Sequence, residues 1–417
     1  MKQQINFTGS PAKWIRIAIL NLMIVALAGV FNRYKLSYAL PQIDFMNLVN
    51  AHSHFAFTAW VSTALFAIIA AFFLSPEQQE SKTYSRLFIL NQIASYGMLV
   101  SFLVQDYGPI SIAFSSFSML VCYGYAFFLW RDTRKDSHLL AIKALRFSLI
   151  CLVLSSFGPY ALIIMKSMHF FNLIYYNNGV YWYLHFQYNG WFSFGVIALA
   201  IHSFEHSLTE KQLSKFKTFV NLMIFALPPT YLISILWTLP AAWVFIIAGI
   251  GGFLQLMAVF LLWYEALERK NDVRRIIKES GGWLLLISFL SVSIKLVLQF
   301  FCIFTELNKF VFGHRPVIIG YLHLVLIGFI SFFLIGICIR QGVLSYRKKI
   351  AGVGIITFIV GFLITEFTLV LHGIDLMTMS PIPGLSLILF IAAVTMFIGI
   401  VLFALPQERF AKHSELK

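Results

Sequence analysis

Apolar residues run along this chain in long blocks separated by short polar breaks. Twelve blocks approach the roughly 20 residues a helix needs to cross a bilayer. They lie at about 14–31, 48–74, 85–105, 109–130, 144–165, 179–203, 217–237, 241–264, 281–304, 317–339, 350–371 and 385–405. A backbone in lipid has to satisfy its own hydrogen bonds, so each block predicts a helix rather than a strand. The expected fold is an all-α integral membrane protein with twelve transmembrane helices. An even number of crossings places both termini on one side.

Inside three of these blocks a nine-residue pattern recurs. It reads His54 to Ser62, His185 to Ser193 and His323 to Ser331. Each copy opens with His and an apolar residue. A small residue follows five positions on (Ala59, Gly190, Gly328), an aromatic at six and a Ser at eight. Two positions before the His stands His52, Tyr183 or Tyr321. The copies are 131 and 138 residues apart. Repetition at a fixed period marks stacked supersecondary units. The chain therefore divides into pseudo-repeats at about 1–135, 136–270 and 271–417, three four-helix arcs within one polytopic domain spanning 1–417.

Composition narrows the class. Of 417 residues 59% are hydrophobic and 12% charged, too apolar a chain for water to be its only solvent. Cys122, Cys151, Cys302 and Cys338 all fall within apolar stretches and form neither a disulfide framework nor a CxxC metal site. Lys and Arg exceed Asp and Glu by 31 to 17, which in such a chain marks cytoplasmic loops rather than a nucleic-acid partner. The N-terminus, alternate loops and C-terminal tail hold 25 of the basic residues. The opposite loops hold five, Arg33, Lys35, Lys166, Lys309 and Arg315. Both termini are therefore expected in the cytoplasm, and the loop 265–279, with Arg269, Lys270, Arg274, Arg275 and Lys278, anchors that topology. The run from about Ile17 to Val30 follows Lys2, Lys13 and Arg16 without a clean small-residue cleavage site, so it reads as the first crossing rather than a signal peptide.

This topology puts His54, His185 and His323 at one level, about seven residues or ~10 Å inside the outer boundary. Intramembrane ionisable residues are functional candidates, and neutral imidazole ligates haem iron, copper and zinc. Two imidazoles from facing helices can clamp a haem. His52 stands about 200° around the helix from His54 and would serve a different site. Tyr183 and Tyr321 suit hydrogen-bonding or structural roles. Lys295 and Glu366 lie inside predicted crossings at similar depth, which suggests an ion pair, a proton relay or a contact to a haem propionate. Arg315, Arg33 and Lys35 match a propionate in charge. Pro228 and Pro229 predict a kink that releases backbone carbonyls. His202 and His206 share a helix face and read as interfacial histidines, and His372 is an additional ligand candidate.

In architecture the chain resembles haem–copper oxidase subunit I. The resemblance implies that His54, with His52 as its rival, and His323 are axial ligands of a low-spin haem and that His185 occupies the place of a copper ligand. The departures are specific. Tyr321 stands where that family binds a high-spin haem, Asn189 stands where it has a Tyr, and no His pair accompanies Pro228 and Pro229. These leave the oxygen-reducing centre incomplete. The chain is also similar to NnrS-type haem- and copper-binding membrane proteins through His52-Ser53-His54 and Ala59, although Phe55 replaces their Glu. The resemblances imply a haem protein, with copper at His185 and His52, in a bacterial-type inner membrane. An electron-donor protein or quinol would be its partner, and electron transfer, nitric oxide handling or a divergent reductase reaction its role. A twelve-helix secondary transporter is the rival from another class, and a non-catalytic relic of the oxidase fold is the third alternative.

Overall fold

The computed structural model describes residues 9–133 and 139–407. Residues 1–8, 134–138 and 408–417 lie outside the described residues, with both termini, His138, His413 and six of the basic residues counted for orientation. Every regular element among the described residues is helical. We label the long helices α1 (Gly9–Ser37), α2 (Phe45–Phe73), α3 (Pro76–Gln105), α4 (Pro109–Asp132) and α5 (Leu140–Ser167). Helix α6 covers residues 173–202. There follow α7 (Glu210–Thr238), α8 (Ala242–Glu268), α9 (Gly282–Phe301), α10 (Arg315–Arg340), α11 (Lys349–Thr378) and α12 (Leu385–Gln407).

Among the described residues eleven helices are long and apolar enough to cross a membrane, which makes the chain an integral membrane protein. The exception is α6. It is long enough, but Asn177, Asn178, His185, Gln187 and Asn189 make it too polar to stand with the others by composition. The physical reason lies in its neighbours: His185, Gln187 and Asn189 are buried against protein and do not face lipid.

Local chemistry sets the helix starts. Asp44 Oδ1 accepts from Met46 N at 2.7 Å and Asn47 N at 3.1 Å, capping α2. Thr209 and Gln212 form a capping box at the start of α7. The Glu205 carboxylate accepts from Leu140 N at 2.6 Å and Ala141 N at 3.1 Å, so α5 is capped by a residue 65 positions away.

The chain forms two compact units, Met1–Tyr125 with Leu334–Lys417, and Ala126–Phe333. In the first, α1 packs on α2 and α12, α2 on α3, and α11 along α12. The α11–α12 seam is close because it is glycine-lined. A Cβ on Gly399 would lie 2.3 Å from Phe358 N, and one on Gly354 2.4 Å from Phe403 N. In the second unit α5 packs on α6, α7 on α8, α8 on α9, and α9 on the middle of α10.

Each copy of the nine-residue pattern lies on a π-helical segment. The segments are Ala56–Ser62 in α2, His185–Phe192 in α6 and Leu324–Ser331 in α10. A π turn is wider by one residue and leaves carbonyls for other donors. The serine at position eight fills that role. Ser193 Oγ donates to Tyr188 O at 2.6 Å and Ser331 Oγ to Leu326 O at 2.7 Å, both five residues back. In the first segment Thr63 Oγ1 makes the same five-residue reach to Thr58 O at 3.1 Å. Neighbouring helices donate as well: Asn21 Nδ2 to Ala59 O at 2.8 Å, Asn91 Nδ2 to Thr58 O at 3.1 Å and Ser288 Oγ to Phe329 O at 2.7 Å. The π segments of α6 and α10, both in the second unit, lie against each other.

Candidate functional site

The first unit holds His52 and His54, and they face different neighbours as two positions on a helix require. His52 Nδ1 lies 3.1 Å from Val25 O on α1. A carbonyl only accepts, so Nδ1 carries the hydrogen and Nε2 holds the lone pair. Gly29, one turn from Val25, lies beside the ring, and a Cβ there would meet His52 Cε1 at 3.5 Å, an ordinary contact. His54 turns to α3, where its ring stacks on Phe102 at 4.4 Å and an interplanar angle of 7°. Its Nε2 is 3.1 Å from Tyr107 Oη.

Charged groups surround this place. Arg33 interacts electrostatically with both His52 and Glu366. Glu366 Oε1 is buried with no hydrogen-bond partner among the described residues. Glu366 and Lys295 belong to different units, and the charge neighbour of Glu366 is Arg33. Lys35 donates to Leu40 O at 2.5 Å, which commits it to its own loop.

The second unit holds His185 and His323. His185 is 1% exposed and both its ring nitrogens are engaged. Nε2 is 2.9 Å from Leu227 O, so it carries the hydrogen, and Nδ1 accepts from Asn189 Nδ2 at 3.1 Å. Leu227 immediately precedes Pro228, but the carbonyls that Pro228 and Pro229 leave without an intrahelical donor are four residues back, at Ile224 and Phe225, so His185 meets Leu227 O, a carbonyl the prolines do not release. Thr230 Oγ1 also donates to that carbonyl, at 3.0 Å.

Lys295 is 3% exposed, lies in electrostatic reach of His185 and has no carboxylate partner among the described residues. One turn along α9, Gln299 Oε1 accepts from Tyr321 Oη at 3.3 Å, and Tyr321 meets Tyr188 edge-on with ring centroids 6.3 Å apart. The unit thus holds His185, Lys295 and Gln299 buried, with Tyr321 and Tyr188 half-buried; His185, Lys295 and Tyr321 are three of the residues singled out in the sequence. The backbone at Tyr183 packs on α5 so closely that a Cβ on Gly158 would lie 3.0 Å from Tyr183 N. His323 ends the α-helical start of α10, directly before its π segment, and Arg315 is the first residue of that helix. The rings of His202 and His206 are 6.4 Å apart at 85°. His372 Nδ1 is buried with no hydrogen-bond partner among the described residues.

These geometries bear on the groups the resemblance implies. Metal- and haem-ligating histidines commonly donate one ring N–H to a carbonyl or carboxylate, which fixes the tautomer and aims the other nitrogen. His52 fits that arrangement. His185 does not fit a copper site as it stands, since neither ring nitrogen is left to a metal. Among the described residues no three His, Cys, Asp or Glu side chains converge as a metal site.

Sequence reasoning missed Val25 O, Phe102, Tyr107 and Gln299. Their only signal is contact across helices. The class defined by fold is an all-helical integral membrane protein. No family model matches the chain, and no curated protein matches it.

Proposed function

We propose that the chain is a haem-binding membrane protein of the haem–copper oxidase-like kind, with His52 as an axial ligand. The supporting observation is the His52 Nδ1–H donated to Val25 O, which leaves Nε2 as a fixed lone-pair nitrogen on a transmembrane helix. This reading prefers His52 to His54, whose Nε2 is already bonded to Tyr107 Oη.

Haem, when bound, supplies one-electron exchange. The chain's own residues orient the imidazole through Val25 O and place the Arg33 cation near the ring, where it suits a carboxylate substituent. In this reading α6 is the sixth of twelve crossings, its polar positions being covered by protein. Both termini are cytoplasmic, the membrane is a bacterial-type plasma membrane, and an electron-donor protein or quinol is the partner. The role is electron transfer or nitric oxide handling.

The test is haem content per protein after purification from cells supplied with haem, compared among wild type, His52→Ala and His54→Ala. We expect loss in His52→Ala and retention in His54→Ala. Equal haem in all three would overturn the assignment of His52.

One observation favours a second reading. Lys295 is a buried cation without a carboxylate partner among the described residues, and intramembrane cations mark ion and substrate paths. A transporter of anions would use Lys295. Haem-free protein whose anion uptake into vesicles is lost in Lys295→Gln would favour that reading.

A further inference from the structure

We infer that the second unit carries an anionic phospholipid site between α5 and α7, independent of the haem reading. A cavity of about 480 Å³ is lined by Lys143, Arg146, Phe147 and Ile150 from α5, by Lys217 and Ile224 from α7, and by Glu205. On each helix the lining residues recur at helical spacing, so each presents one face to the cavity.

The order along both helices matters. Lys143 and Arg146 lie in the first two turns of α5, and Phe147 and Ile150 follow further in. Lys217 lies in the second turn of α7, and Ile224 lies about 10 Å further along at ~1.5 Å per residue. The cations and Glu205 therefore lie, together with Leu139, Leu140 and Leu213, at the helix-start end of the cavity, and beyond them the lining is apolar alone. A phospholipid has that same order, with an anionic phosphodiester at the boundary and acyl chains below. A free phosphate matches only the helix-start end.

The cations are available. Glu205 is the single carboxylate of the lining, and both its oxygens are occupied by the backbone N–H groups of Leu140 and Ala141. Lys143 donates to the neutral Asn221 Oδ1 at 2.6 Å. The Arg146 guanidinium lies 5.1 Å from the Trp130 ring centroid and reaches Thr133 O at 3.5 Å, while its Nε is buried without a partner among the described residues. The remaining guanidinium N–H groups and the two Lys ammonium groups are what a phosphodiester oxygen would meet in the cavity. Lys217 has no partner among the described residues and is exposed.

Native mass spectrometry of the full chain in detergent, titrated with phosphatidylglycerol, phosphatidylcholine or inorganic phosphate, tests this. Wild type should retain phosphatidylglycerol and release phosphatidylcholine. Lys143→Gln with Lys217→Gln should weaken phosphatidylglycerol about twenty-fivefold, from roughly fivefold per cation. Lys217→Gln alone, at an exposed unpartnered side chain that folding does not need, should weaken it about fivefold. Equal retention of both lipids, or unchanged affinity in both variants, would overturn the site. Displacement of the lipid by inorganic phosphate at equal concentration would overturn the lipid assignment in favour of a small oxyanion.

Discussion

Gly190 lies at position five of the second pattern, inside the π segment of α6, and faces Cys151 on α5. A Cβ there would lie 2.5 Å from Cys151 Cβ and 2.9 Å from its Sγ. Ordinary carbon contacts are about 3.5–4.0 Å, so Gly190→Ala must part the two helices by about 1 Å. Cys151 is 0% exposed and has nowhere to retreat. Overpacking of this kind costs about 1–3 kcal/mol. The displacement should also loosen the bond from His185, five residues before Gly190, to Leu227 O. Cys151→Gly removes both clashing atoms, so the double variant should be more stable than the two single effects predict by about 1 kcal/mol or more. Gly249→Ala is the internal control, since nothing lies within 4 Å of a Cβ at Gly249. Equilibrium unfolding in mixed micelles, with a midpoint and slope for all four variants and wild type, provides the assay. If Gly190→Ala is as stable as Gly249→Ala, or if Cys151→Gly gives no rescue, the small residue is not there to admit α5 and the reading of position five fails.

Two further outcomes follow from the helix contacts. Ser288→Ala removes the 2.7 Å bond to Phe329 O in the third π segment and should cost about 0.5–1.5 kcal/mol in the same unfolding assay; an unchanged midpoint would mean that carbonyl has another donor. The Asp44 carboxyl is held below the usual carboxylate range by the backbone N–H groups of Asn47 and Met46. Its folded value is depressed, so its cap is fully present above the ordinary value of about 4 and is lost as pH falls through the lowered one. Amide protection in the first turn of α2, corrected for intrinsic exchange, should decline on acidification in wild type and show no such step in Asp44→Asn. A step of equal size in the variant would assign the effect to another group.

Much of this fold is legible in the sequence because lipid enforces long apolar runs. Eleven of the twelve predicted crossings satisfy that test, and the divergence of His52 from His54 follows from helical geometry alone. The sixth stretch is less apolar because its polar residues are covered by protein, which single-chain hydropathy does not see. The nine-residue pattern is visible as repetition, but nothing in its residue types announces a π turn. The seven residues used to reckon each histidine's depth precede its π segment, so the α-helical rise applies to them. The proline pair predicts released carbonyls four residues back, at Ile224 and Phe225, whereas the carbonyl that His185 meets is Leu227 O, 42 residues from it in the chain. The cap on α5 from Glu205 and the neighbourhood of Glu366 with Arg33 depend on tertiary contact and leave no local mark.

The reduced-minus-oxidised absorption spectrum of the purified wild-type protein, from cells supplied with haem, tests the proposed function most directly. A sharp low-spin haem signal that His52→Ala abolishes is the predicted result. A flat difference spectrum in a folded, fully helical preparation would contradict the haem assignment and bring the buried Lys295 and anion transport to the front.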